Sequence, residues 1–131
     1  MTGLDTNVVI RYLIHDDPLQ TSAAVKLVST LTTEEPGFLS LIVVVETVWV
    51  LESSYGFSKQ QIEEVLETLL RSKELRIERA DLVGQALRTF QASRADFADC
   101  LIERCAHAAG CRLIYTFDRR AASAAQMHLV P

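Results

Sequence analysis

The chain has no apolar run near the ~20 residues that a membrane-crossing helix needs. Its start, Met-Thr-Gly-Leu-Asp, carries neither the basic region nor the apolar stretch of a secretory leader. Both absences lead us to expect a cytoplasmic protein with no membrane partner. An excess of positive charge is lacking too, since 13 basic residues against 17 acidic ones leave a formal charge of −4. No global field therefore gathers nucleic acid, and a nucleic-acid partner would need a local basic rim or a bound cation. Cysteine is scarce and odd in number. Cys100, Cys105 and Cys111 cannot all pair within one chain, and in a reducing compartment thiols are the default. A zinc site built from them with His107 is disfavoured, because five residues along a helix rotate the side chain by about 140° and turn Cys100 away from Cys105. Repeats, low-complexity tracts and linkers are also missing. A chain of 131 residues, 49% hydrophobic and 23% charged, is expected to form one folded domain over 1–131.

What is present is an alternation of short apolar strands with helices. Met1 to Leu4 is a strand stub ending at Asp5, and Thr6 to Leu13 suits a short helix. Asp16-Asp17-Pro18 reads as a stop, a cap and a proline at the first helical position, opening a helix from Pro18 to about Leu31. Phe38 to Leu39 serves as a brief strand. Leu41 to Leu51 is ambiguous: its valines favour strand, whereas eleven residues after Ser40 suit a capped helix. Ser58 and Gln61 form a capping box before Ile62, Val65, Leu66, Leu69 and Leu70 at helical spacing. Leu75 to Ile77 is a short strand, and a helix follows from near Asp81. Asp96 opens the next helix, which ends at Gly110; Leu113 to Thr116 is an apolar strand ending at Asp118, and His128 to Val130 a last strand. Short strands alternating with helices imply an α/β fold whose parallel sheet is covered on both faces, with ligands gathering at the carboxyl ends of the strands.

Four acids stand where acids are costly. Asp5 and Asp118 each follow a strand, which places them at the same end of one sheet as neighbours. Glu46 lies in an apolar run with Thr47 as its only polar companion, so it is expected to face apolar surroundings and to need a partner or an aqueous cleft. Asp99 lies one turn after Asp96, on a stripe with Glu103 and His107 that equally suits a solvated helix face. Each acid has a structural alternative of its own: a cap for Asp5, an Asx turn for Asp118, a buried arginine for Glu46. Together they are explained more simply by convergence. Two carboxylates ~4 Å apart repel by about 4 kcal/mol at an effective dielectric of ~20, and a hard divalent cation such as Mg²⁺ or Mn²⁺ relieves that with oxygen ligands.

Leu-Asp-Thr-Asn-Val-Val-Ile-Arg-Tyr-Leu at 4 to 13, Glu-Thr-Val-Trp-Val-Leu from 46, Ala-Asp-Phe-Ala-Asp-Cys-Leu-Ile at 95 to 102 and Tyr-Thr-Phe-Asp at 115 to 118 resemble the motifs of PIN-domain proteins. Within that family they are most similar to the VapC-type toxins of bacterial toxin–antitoxin pairs, in order and over essentially the whole chain. The resemblance implies a three-layer α/β/α domain with a short-stranded, mainly parallel central sheet, and an endoribonuclease dependent on Mg²⁺ or Mn²⁺. It implies a catalytic quartet of Asp5, Glu46, Asp99 and Asp118, with Asp5, Asp99 and Asp118 on the metal. Thr6, Asn7, Asp96 and Thr116 would support them from behind. It favours helix for Leu41 to Leu51 and places Asp99 in the cleft. Water would be the nucleophile, so the RNA 2′-hydroxyl is not needed for chemistry and RNA preference would come from shape and unpaired bases. Arg94, Arg119 and Arg120, close in sequence to the acids, are expected to contact phosphates. A cognate antitoxin protein and a homodimer are the implied protein partners, with Tyr12, Trp49, Tyr55 and Phe57 as an aromatic surface for them.

Two other classes compete. Phosphoryl transfer through an aspartyl intermediate also places Asp after the first strand, but resembles a pattern with a second Asp where this chain has Asn7. A catalytically silent PIN-like binding module would have no reason to keep four unbalanced acids.

Overall fold

Helices begin in this chain where a short polar side chain can serve the free backbone N–H groups of a first turn. In the computed structural model, which describes all residues Met1–Pro131, Asp5 accepts from the Val8 N–H and starts α1 (Thr6–Leu13), and Asp17 accepts from the Gln20 N–H and starts α2 (Pro18–Ser29) with proline at its first position. Ser40 starts α3 (Leu41–Tyr55), which settles the ambiguous apolar run as helix and carries it four residues beyond Leu51 to a left-handed Gly56. Ser58 and Gln61 exchange both bonds of the capping box at the head of α4 (Lys59–Arg71).

The residues divide into two compact units, Met1–Glu78 and Arg79–Pro131. In the first, β1 (Thr2–Gly3), β2 (Gly37–Leu39) and β3 (Leu75–Ile77) form a parallel sheet in that order, with Thr2 opposite Gly37 and Gly37 opposite Leu75. The central strand β2 lies between β1 and β3, with Gly37 and Leu39 buried. A Cβ on Gly37 would stand 2.8 Å from Leu31 Cδ1 and 3.0 Å from Leu4 Cδ1, so a larger residue there has to displace leucine methyls. Leu39, Val44, Leu51, Ile62 and Leu66 are buried almost completely, each contributing about 1.5–3 kcal/mol of apolar transfer.

In the second unit α5 (Ala80–Ala92) packs along α6 (Phe97–Ala108), where Phe90 meets Phe97 edge to face at 6.1 Å. Gly110, at φ 96°, takes the left-handed turn beyond α6. β4 (Tyr115–Thr116), α7 (Arg119–Ala124) and β5 (His128–Leu129) follow, and β4 pairs with β5 in a separate parallel ladder. The strand expected over Leu113 to Thr116 is therefore only two residues long. Leu113 is half exposed and takes no part in it, because β5 offers just two residues to pair. Helix α7 adds an element to those the sequence predicts, and the Asx turn expected at Asp118 is its cap. No helix is long and apolar enough to cross a membrane.

Candidate functional site

Of the first unit's acids, Asp5 ends the chain's exit from β1 and caps α1 through Oδ1, which accepts from the Val8 N–H at 3.1 Å. Its second oxygen carries no such bond. Thr6, the first residue of α1, turns its hydroxyl to Glu46 on α3 and donates to Oε1 at 2.7 Å. Glu46 is exposed, which corrects the expectation that it faces apolar surroundings. It shares the outward face of α3 with Ile42 and Trp49, 72% and 66% exposed, while Val44, Thr47, Val48 and Leu51 fill the inward face. A helix apolar nearly all round carries no pattern to say which side meets water, and this is why the sequence misled. Neither Asp5 nor Glu46 forms an ion pair.

Asn7 is exposed and lies with Asp5 along a groove of about 340 Å³ between α1 and α2, which continues to Arg11 and Gln20. The Arg11 guanidinium donates to Gln20 at 2.7 Å, to Asp16 at 3.0 Å and to the Tyr55 hydroxyl at 3.2 Å; Tyr55 in turn donates to Asp16 at 2.8 Å. That hydroxyl, ahead of the nearby Arg11, holds the Asp16 carboxyl below the usual range. Tyr55 is thus half-buried in a polar knot and Phe57 is half-buried too, so of the four aromatics proposed for a partner surface only Tyr12 and Trp49 are exposed.

The second unit arranges its acids differently. Asp96 sits at the cap position of α6 but makes no cap bond; its Oδ1 accepts from Arg120 Nη2 at 2.7 Å. Asp118 caps α7 with Oδ1, which accepts from the backbone N–H of Arg120 at 2.7 Å and of Ala121 at 3.0 Å, while the Asp118 N–H donates to the Thr116 hydroxyl. Asp99, in the first turn of α6, is partly buried. Its carboxyl is pushed above the usual range by that burial first and then by the charges of Asp96 and Asp118, with Arg120 opposing them. Asp96, Asp99 and Asp118 therefore belong to one electrostatic group. The simple solvated stripe fails at Glu103, which is buried and pairs with Arg104. Arg94, Arg119 and Arg120 border one surface depression of about 550 Å³ together with Ser93 and Ser123. Contrary to expectation, Asp5 and Asp118 do not share a sheet end, because β1 and β4 belong to different sheets.

All the acids offer oxygen, and Asp5, Glu46 and Asp118 each give one oxygen to a protein donor and keep the other without a hydrogen bond. In neither unit do three His, Cys, Asp or Glu side chains form a ready-made cage for a metal. That combination suits a hydrated Mg²⁺-like ion, which takes one or two carboxylates and keeps its waters, and not a dehydrated ion needing four or more protein ligands. Soft ligands are poorly placed: Cys100 is buried, and its thiol is pushed up to about 11 by that burial and by the Asp99 and Asp96 charges.

The PIN domain family model matches residues 4–126, a span that contains every one of these acids. The chain belongs to the PIN-domain family. With membership comes the three-layer α/β/α class expected from its motifs. Among curated proteins it is similar to a VapC ribonuclease of Aquifex aeolicus (strain VF5), 26% identical over 120 residues that cover 92% of this chain and 89% of that protein.

Proposed function

We propose that this PIN-domain chain is an endoribonuclease dependent on Mg²⁺ or Mn²⁺, acting in the cytoplasm as the toxin of a toxin–antitoxin pair. In this reading residues 1–131 form one catalytic domain, a cognate antitoxin restrains it, and two copies associate as a homodimer. The observation that carries the proposal is the family match over 4–126, with all four acids inside it; the likeness to a VapC ribonuclease supports RNA as the substrate and an antitoxin as the partner.

The chemistry a bound hard cation supplies is activation of water and neutralisation of charge at the phosphoryl group. The chain's own residues would do the rest. Asp5, Asp99 and Asp118 would hold the cation through carboxylate oxygens; Asp5 and Asp118 each keep one oxygen that their caps do not use. Thr6 fixes the rotamer of Glu46 through its hydroxyl, so that the exposed carboxylate can accept a proton from water. Thr116 steadies the start of α7 by accepting from the Asp118 N–H, Asn7 would lend its amide beside Asp5, and Arg94, Arg119 and Arg120 would supply the local basic rim that a chain of net charge −4 needs to approach a polyanion.

The test is cleavage of structured RNA by the purified chain with Mn²⁺, with and without EDTA, beside calorimetric titration of Mn²⁺. Cleavage that EDTA abolishes is the expected result. The alternative is the catalytically silent binding module. Mn²⁺ binding with no cleavage of any RNA tried would select it.

A further inference from the structure

We propose that Arg120 alternates between two partners, holding Asp96 in the cation-free chain and turning to an RNA phosphate once a divalent cation has taken over the neighbouring carboxylates. The inference rests on the nuclease reading above and assigns one residue a positioning role within it.

Three observations lead there. Arg120 Nη2 donates to Asp96 Oδ1 at 2.7 Å, which occupies a carboxylate beside Asp99 and Asp118. Both side chains of the pair are more than half exposed, at 54% and 57%. Such a pair shifts an equilibrium by no more than about fivefold, ~1 kcal/mol at 1.4 kcal/mol per tenfold, so a divalent charge arriving at the same group displaces it easily. Finally, Arg120 borders the depression that also collects Arg94, Arg119, Ser93 and Ser123. Three guanidinium groups around one depression favour an anion between them, so the released Arg120 can join Arg94 and Arg119 on a phosphate there.

The two ligands therefore help each other. The cation removes the reason for Arg120 to stay on Asp96, and the phosphate rewards its departure; by linkage the gain in affinity is mutual.

The experiment compares the full-length wild-type chain with Arg120→Gln, both checked by urea unfolding to be folded. Mn²⁺ alone is titrated by calorimetry, and a labelled single-stranded RNA with cleavage-resistant phosphorothioate linkages is followed by fluorescence anisotropy in Mn²⁺ and in EDTA. R120Q is expected to bind Mn²⁺ about fivefold more tightly than wild type, because its internal competitor is gone. Wild type is expected to bind the RNA about tenfold more tightly in Mn²⁺ than in EDTA, and R120Q to lose most of that gain. Equal or weaker Mn²⁺ binding by R120Q, or an undiminished Mn²⁺ effect on its RNA binding, overturns the exchange while leaving the nuclease reading intact. A wild-type chain that binds no Mn²⁺ overturns both.

Discussion

The acids of residues 1–78 and those of residues 79–131 solve the problem of negative charge in opposite ways. Asp5 and Glu46 are exposed, each is steadied by a neutral donor, and neither has an ion-pair partner. Asp96, Asp99 and Asp118 feel one another, the carboxyl of the most buried of them is pushed above the usual range, and an arginine pairs with Asp96. Solvent screens the first pair, whereas partial burial makes the second group depend on a counter-charge. Chemistry that needs several carboxylates in one place is expected to show its strain in the second group first.

The largest effect that would separate the two groups is on turnover. Asp99→Asn and Asp5→Asn are each expected to lower Mn²⁺-dependent RNA cleavage by roughly 10²-fold or more, measured as initial rates on one structured RNA. A surviving activity in either would remove that acid from the reaction.

The next effect is on stability, and here the groups should diverge in sign. Asp99 has a folded-state pKa above its unfolded one, so its contribution is fully present below the unfolded value and is lost as pH rises through the folded one. Asp99→Asn should therefore raise the Tm of the metal-free protein at pH 7, and the advantage should vanish as pH falls below ~3.9. Asp5→Asn keeps an acceptor for the Val8 N–H and should leave Tm nearly unchanged, whereas Asp5→Ala should lose about 1 kcal/mol by urea unfolding. A loss in D5N as large as in D5A would mean that charge, not the cap, is what Asp5 contributes.

A change of similar size lies next to Glu46 but inside the core. The Thr47 hydroxyl is buried with no hydrogen-bond partner, so Thr47→Val, nearly identical in shape, should stabilise the chain by about 1 kcal/mol. The smallest expected effect is on Thr6→Val. Its bond to Glu46 is solvent-exposed, so unfolding free energy should move by under ~0.5 kcal/mol while cleavage falls measurably. Equal losses in both would make Thr6 structural.

Local chemistry made most of the elements readable before any coordinates. Ser58 with Gln61, Asp17 before Pro18 and Ser40 before an apolar run each announce a helix start through bonds made within four residues, and those bonds are present. The outward orientation of Glu46 and the short β4 strand were hidden because they depend on what packs alongside, which periodicity does not encode in a helix apolar on every side. Arg120 shows the same limit in the site. Its neighbourhood to Asp118 is written in the sequence, but its grip on Asp96, 24 residues away, comes from how α6 and α7 are brought together.

The parallel ladder through Thr2, Gly37 and Leu75 has an implication for how the chain reaches this state. Each rung joins residues separated by two whole helices, so neither can form until the intervening segments have already collapsed, and the ladder itself is only two or three residues long. Folding of this half should be helix-led, with the sheet closing last as a latch on a nearly assembled core, and substitutions at Gly37 should speed unfolding far more than they slow refolding.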